Sequence, residues 1–202
     1  DRAVQIGWMR GGPDSAKLFG VPHNQQMAFP VELSLKSTPE GIRLFCWPIK
    51  EIDSLVEHTY QFNEVTLDTS ANAIDDIKDL DLVDLEVSFS PGDAEQVVFD
   101  LPQVSIRYDV KKQVLYHSGI DNNGKPRESV CIDKLAPRDG KVSLRLLVDR
   151  LTVEAYVFGG AMFAAHYIHP EHGPKKLSIH SVGGTAKIHD LSIRKLKSAW
   201  KL

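Results

Sequence analysis

Cysteine is scarce in this chain: Cys46 and Cys131 are the two among 202 residues, and no Cys-x-x-Cys spacing joins them. They say little about redox compartment and read as two buried thiols. A charge excess of either sign is also missing, with 24 basic against 27 acidic side chains and no long lysine run. Without a basic field to neutralise phosphates, a nucleic-acid partner is not expected. No apolar stretch approaches the roughly 18 residues that cross a bilayer, and the longest candidate, Val153 to Ala165, is broken by glycines. That stretch reads as a hairpin, and no membrane span is expected. There is no Gly-x-Ser-x-Gly elbow for acyl transfer and no Gly-x-Gly-x-x-Gly or phosphate loop, so no nucleotide cofactor is expected. The start, Asp1 to Met9, lacks an initiator methionine, a charged n-region and a cleavage site. It opens inside a strand-like segment, which points to a piece of a longer chain.

What is present is alternation of period two, from end to end, with almost no apolar pattern of helical period. The chain is therefore expected to be all-β. Val83, Leu85, Val87 and Phe89 point one way and Asp84, Glu86 and Ser88 the other, as in a half-buried strand; Val142, Leu144, Leu146 and Val148 repeat the pattern, which Leu147 breaks. Further strands are expected at Ile6 to Met9, Val31 to Leu35, Ile42 to Trp47, Tyr60 to Leu67, Val97 to Leu101, Val104 to Val110 and Val114 to His117. Beyond them follow Thr152 to Phe158, Met162 to Ile168, Lys176 to Ser181 and Ile188 to Leu196. So many short strands suggest a β-sandwich.

Residues that tolerate positive φ stand between the strands. Asn123-Gly124, Asp139-Gly140, Gly159-Gly160 and Gly183-Gly184 suit tight hairpins, while Thr38-Pro39-Glu40-Gly41 and Ser90-Pro91-Gly92-Asp93 suit type I or II turns. Asp75, Asp76, Asp79 and Asp81 cluster where alternation fades; with no glycine in the loop they read as a solvated face rather than a calcium site. A composition shift at Glu51 to His58 places a boundary between an aromatic, proline-rich segment, residues 1–55, and the regular strand array, residues 56–202.

Few residues advertise chemistry. His166, His169 and His172 lie three apart, but a strand turns the first two to opposite faces and Pro170 and Gly173 end the element. They read as exposed loop histidines, and no metal site is expected. Asp149 and Glu154 flank Arg150 and are expected to form ion pairs with Arg145 and Arg150 rather than a glycosidase pair.

The runs Val4-Gln5-Ile6-Gly7-Trp8-Met9, Asn24 to Leu33, Gly41-Ile42-Arg43-Leu44 and Pro48 to Ile52 resemble the last propeller blade of glycoside hydrolase family 32, the levanases, inulinases and invertases. Tyr108 to Gln113, Leu146 to Arg150 with Val153-Glu154, and Leu196 to Trp200 are similar to the C-terminal sandwich of that family. The resemblance spans nearly the whole chain in order. It implies a two-sheet antiparallel, concanavalin-like β-sandwich preceded by strands of the last blade of a five-bladed propeller. Family members hydrolyse β-fructofuranosyl linkages with retention, by an ionised aspartate nucleophile and a protonated glutamate. Their carboxylates sit in Asn-Asp-Pro, Glu-Cys and Arg-Asp-Pro motifs of earlier blades, none of which occurs here. Arg138-Asp139 is followed by Gly140, and neither cysteine follows a glutamate.

The resemblance thus implies the non-catalytic end of a fructan hydrolase, outside the cell or in the periplasm, supporting a propeller that binds fructan or sucrose-type sugars. No catalytic residue is expected in this chain. Trp8 is the one candidate substrate contact, because the family's Gly-Trp-Met segment brings an aromatic ring toward the fructose pocket; the alternative is a tryptophan packed between blade and sandwich. Two departures stand out: Gly159-Gly160 replaces the family's polar hairpin tip, and His23 stands where an aromatic residue is frequent. A carbohydrate-binding module using Tyr108, Tyr116, Tyr156 or Tyr167 is the alternative function, and a structural or dimerisation domain is a third. Deprived of neighbouring blades, residues 1 to about 50 are expected to fold back on the sandwich or to be covered by another chain.

Overall fold

The computed structural model describes residues 1–10, 16–17, 20–69, 74, 77, 80–120, 125–168 and 176–199. Short strands come first: β1 (Ala3–Gln5), β2 (Trp8–Met9), β3 (Gln26–Met27), β4 (Val31–Thr38) and β5 (Gly41–Pro48), followed by a 3-10 helix at Lys50–Leu55. Then come β6 (Val56–Leu67), β7 (Leu82–Ser90), β8 (Gln96–Leu101), β9 (Val104–Asp109), β10 (Val114–Ile120) and β11 (Pro126–Ile132). The chain continues through β12 (Val142–Val148), β13 (Thr152–Val157), β14 (Met162–Tyr167), β15 (Ser178–Val182) and β16 (Ala186–Leu196). Every pairing described is antiparallel.

Two sheets form the sandwich, one in the order β14-β13-β12-β7-β16-β6 and the other β11-β10-β9-β8-β15. Their facing sides carry the alternating apolar residues: Val83, Leu85, Val87 and Phe89 of β7 and Val142, Leu144 and Leu146 of β12 meet Val97, Phe99, Ile106 and Tyr108 of the other sheet in one core cluster. Phe89 packs against Phe99 and Tyr108 at ring distances of 5.6 and 5.8 Å, and the Tyr108 hydroxyl, deep in the core, donates to the Leu135 carbonyl. The N-terminal strands make a separate sheet, β1-β4-β5, and a two-stranded ribbon, β2-β3.

The turns divide into two kinds. Thr38 to Gly41 and Asp139-Gly140 close tight local turns, the latter with both residues at positive φ. Ser90 to Asp93 and Gly183-Gly184, expected to close local connections, instead carry the chain from one sheet to the other, because β7 and β16 belong to the six-stranded sheet and β8 and β15 to the five-stranded one. The two crossovers pack together so tightly that a Cβ on Gly92 would stand 2.3 Å from the Thr185 carbonyl oxygen. Strand β11 and the short β3 were not expected; β11 begins with Pro126, is polar along Arg127 to Ser129 and bulges against β10. Asn123-Gly124, Asp75, Asp76, Asp79, His169 and His172 lie outside the described residues.

Candidate functional site

Among the described residues, the outer face of the six-stranded sheet departs most from the simple alternating pattern. Side chains there should meet water, yet Asp84 is fully buried and Arg145, Leu147, Glu154 and Tyr156 are buried with it. The register explains their meeting: Arg194, Asp84, Leu147 and Glu154 lie side by side across β16, β7, β12 and β13, and Glu86, Arg145 and Tyr156 form the next row. Residues 29–56 cover them. Leu147, Tyr156 and Leu196 form a second apolar cluster with Val31 and Ile52, against which Phe29, Leu33, Cys46 and Trp47 pack. The break in alternation at Leu147 therefore marks a strand buried on both faces.

Burying Asp84 costs several kcal/mol unless its charge is matched. Arg145 matches it with two hydrogen bonds, Nε to Oδ1 at 2.9 Å and Nη2 to Oδ2 at 2.8 Å, and Arg194 adds a third. Arg194 also reaches Asp53 at 2.7 Å in the 3-10 helix, and the Arg145 guanidinium lies 5.1 Å from the Trp47 ring. The two arginines that this carboxylate holds thus join the sheet to its cover. The expected ion pairs of Glu154 and Asp149 with Arg145 and Arg150 do not form: Arg145 turns to Asp84, and Arg150 turns to Asp81 at 2.8 Å.

Glu154 faces the N-terminal segment instead. Its Oε1 accepts the Phe29 N–H at 2.7 Å and its Oε2 accepts the Tyr156 hydroxyl at 2.6 Å. Burial raises the Glu154 carboxyl above its ordinary range, against the opposing pull of those two donors, and burial raises the Tyr156 phenol as well. One strand over, the Tyr167 hydroxyl donates to the Met9 carbonyl at 2.8 Å and accepts the Gln26 N–H at 3.2 Å. At the β13–β14 turn the two parts touch: a Cβ on Gly160, which has φ of 91°, would stand 2.1 Å from the Cys46 carbonyl oxygen. Only glycine fits there.

The candidate substrate contact, Trp8, projects away from this interface. It is 64% exposed and pairs across the ribbon with Met27, which is exposed as well. The tryptophan that packs on the sandwich is Trp47, edge-on to Tyr156 at 6.1 Å. Sequence reasoning passed over Trp47, Asp84 and Arg194, and only the break at Leu147 hinted at the face they serve.

Other candidates resolve differently. Tyr108 and Tyr156 are fully buried and offer no sugar-stacking platform, while Tyr116 is half-buried with the Arg107 guanidinium 4.5 Å above its ring. His166 is not an exposed loop residue but a half-buried member of β14, its ring 4.4 Å from that of His117 on β10 and tilted to it by 32°. Burial holds the His117 imidazole down at about 4, with the neighbouring His166 adding to the effect, and burial lowers His166 too. Among the described residues no three His, Cys, Asp or Glu side chains gather to hold a metal ion. Cys131 is buried as expected, its thiol pushed up to about 12 by burial, whereas Cys46 is only partly covered.

Residues 51–195, which build this sandwich, match the model for the C-terminal region of the glycosyl hydrolases of family 32. The chain belongs to that family. The family 32 chain is 26% identical to a levanase of Bacillus subtilis (strain 168), over 98% of its own length and 31% of the levanase. It is 24% identical to an extracellular exo-inulinase of Aspergillus awamori, over 98% of itself and 39% of that protein. Among solved structures, the Aspergillus awamori exo-inulinase superposes with a TM-score of 0.73 at 22% identity, over 98% of this chain and 41% of that one. Fructan 1-exohydrolase IIa of Cichorium intybus superposes with a TM-score of 0.69 at 17% identity, over 98% and 46%. These likenesses establish the two-sheet fold. The family 32 chain spans less than half the length of each of these relatives.

Proposed function

We propose that this chain is the C-terminal part of an extracellular or periplasmic, fructan-hydrolysing retaining glycosidase, supporting the catalytic propeller and holding none of the catalytic carboxylates itself. The observation that carries this reading is the family match over residues 51–195, joined to an alignment that covers nearly all of this chain but 31% of a levanase. The relatives' remaining length is where the three carboxylate motifs belong, and this chain has none of them. We divide the chain at residues 55 and 56, where the 3-10 helix gives way to β6 and the first sandwich sheet begins.

On this reading residues 1–55 are the last blade. They are anchored on the sandwich through Val31, Ile52 and Trp47, while Val4, Ile6, Met27, Leu35, Ile42 and Leu44 are left exposed. Leu35 and Leu44, cross-strand partners on β4 and β5, and Ile42 two residues on lie bare to water on one face of the sheet, which fits a surface made to pack on an adjoining blade. Trp8, also exposed, is on this reading the residue that contacts the fructosyl unit. The buried interface with its Asp84 network fixes the blade to the sandwich and so gives the propeller a rigid closing wall.

Two observations test the reading. The sequence upstream of Asp1 is expected to hold the Asn-Asp-Pro, Glu-Cys and Arg-Asp-Pro motifs. The purified 202-residue chain, incubated with levan, inulin and sucrose, is expected to release no fructose; turnover by a homogeneous sample overturns the assignment of catalysis to another part.

A further inference from the structure

The ribbon that carries Trp8 is too small to hold its own shape. Its strands β2 and β3 have two residues each, and a two-stranded ribbon of ordinary length is already marginal in water. What holds it belongs to the sandwich. The Tyr167 phenol, at the end of β14, donates to the Met9 carbonyl of one ribbon strand and accepts the Gln26 N–H of the other, and Met9 and Gln26 are the cross-strand pair next to Trp8 and Met27. Glu154 fixes the chain just beyond through the Phe29 N–H, and the Ala28 N–H donates to the Gly7 carbonyl at 2.8 Å on the near side of Trp8. Successive side chains of a strand point oppositely. With Met9 buried, its neighbour Trp8 is turned outward to 64% exposure.

We propose that Tyr167 is a positioning residue of the glycosidase: by clamping both ribbon strands it sets where the Trp8 ring stands for the bound fructosyl unit. The sandwich then contributes to substrate recognition without touching sugar. This rests on the reading of Trp8 as a substrate contact. Tyr167→Phe keeps the ring and its packing and removes the hydroxyl that links the two strands. Each hydrogen bond of this kind is worth about a fivefold change in an equilibrium, so the orienting effect of two is about five- to twentyfold.

The test is a double-mutant cycle on the complete enzyme, with kcat and KM measured for short levan- and inulin-type oligosaccharides, and amide hydrogen exchange at Gln26 as a second readout. Trp8→Ala is expected to lower kcat/KM about tenfold or more. Tyr167→Phe is expected to lower it about five- to twentyfold, mainly through KM, with the melting temperature nearly unchanged and Gln26 exchange accelerated. The double variant is expected to be little worse than Trp8→Ala alone, because the hydroxyl acts through the indole. Additive losses overturn the inference, as does a Tyr167→Phe enzyme with wild-type kcat/KM beside an impaired Trp8→Ala enzyme. Unchanged Gln26 exchange in Tyr167→Phe overturns it whatever the substrate. A Trp8→Ala enzyme with unaltered kinetics removes Trp8 from the substrate contact, which is the failure of the earlier reading and takes this inference with it.

Discussion

Asp84→Ala probes the covered outer face of the six-stranded sheet most sharply. The carboxylate is completely shielded from water and receives three guanidinium hydrogen bonds, two from Arg145, whose side chain is 6% exposed, and one from Arg194. Removing it leaves the Arg145 charge buried against Trp47 with its nearest counter-charge gone. Breaking a buried pair by deleting one partner costs about 3–5 kcal/mol. For a chain of this size each kcal/mol moves the melting temperature by about 2–4 °C, so a fall of about 6–20 °C is expected. The control is Asp81→Ala, which removes the partner of Arg150 in a pair whose side chains are both about half exposed. Such a surface pair contributes at most about 1 kcal/mol. Urea denaturation followed by tryptophan fluorescence, with circular dichroism alongside, measures both variants. If Asp84→Ala unfolds within 1 kcal/mol of Asp81→Ala, the outer face is open to water and the packed interface described here is wrong.

Three further expectations concern the same molecule. Gly160→Ala forces a Cβ toward the Cys46 carbonyl at a positive φ, and is expected to lower stability by at least about 1 kcal/mol in denaturant titration, while Gly140→Ala, with open space around it, shows only its backbone strain. Glu154 has its folded-state carboxyl raised, so the folded chain holds that proton more tightly than the unfolded chain. Its contribution is present below the ordinary glutamate range and is lost as pH rises through the raised value; Glu154→Gln is expected to flatten that part of the stability profile. His117 runs the other way, its folded-state value about 4 against 6.5 unfolded, so stability is fully present above about pH 6.5 and falls as pH drops toward 4. His117→Gln is expected to reduce that acid-side slope, and an unchanged slope excludes His117 as its source.

Much of the sandwich was readable because one physical signal, alternation, reports directly on its inner face. Val83 to Phe89 and Val142 to Val148 show it plainly, and both strands lie where the pattern puts them. The same signal is silent about what covers the other face. Asp84 looks like a solvent residue in sequence because its partners Arg145 and Arg194 come from strands 61 and 110 positions away. Leu147 was the one local sign, an apolar residue on the polar side. Turn chemistry was equally one-sided: Gly183-Gly184 satisfies positive φ in a hairpin or in a crossover, and the choice is made by Asp93 and Glu95 packing on the glycines. Strand β11 escaped because it is an edge strand that opens on a proline followed by three polar residues. The Tyr167 clamp joins residues 158 apart, beyond the reach of any local pattern.

Fructose release by the complete gene product, set beside the isolated 202-residue chain at equal concentration, separates the alternatives most directly. The complete protein is expected to liberate fructose from levan or inulin, and the isolated chain to liberate none. A complete protein that acts on neither polymer nor on sucrose, or an isolated chain that acts on any of them, contradicts the assignment of this chain as the supporting, non-catalytic end of a fructan hydrolase.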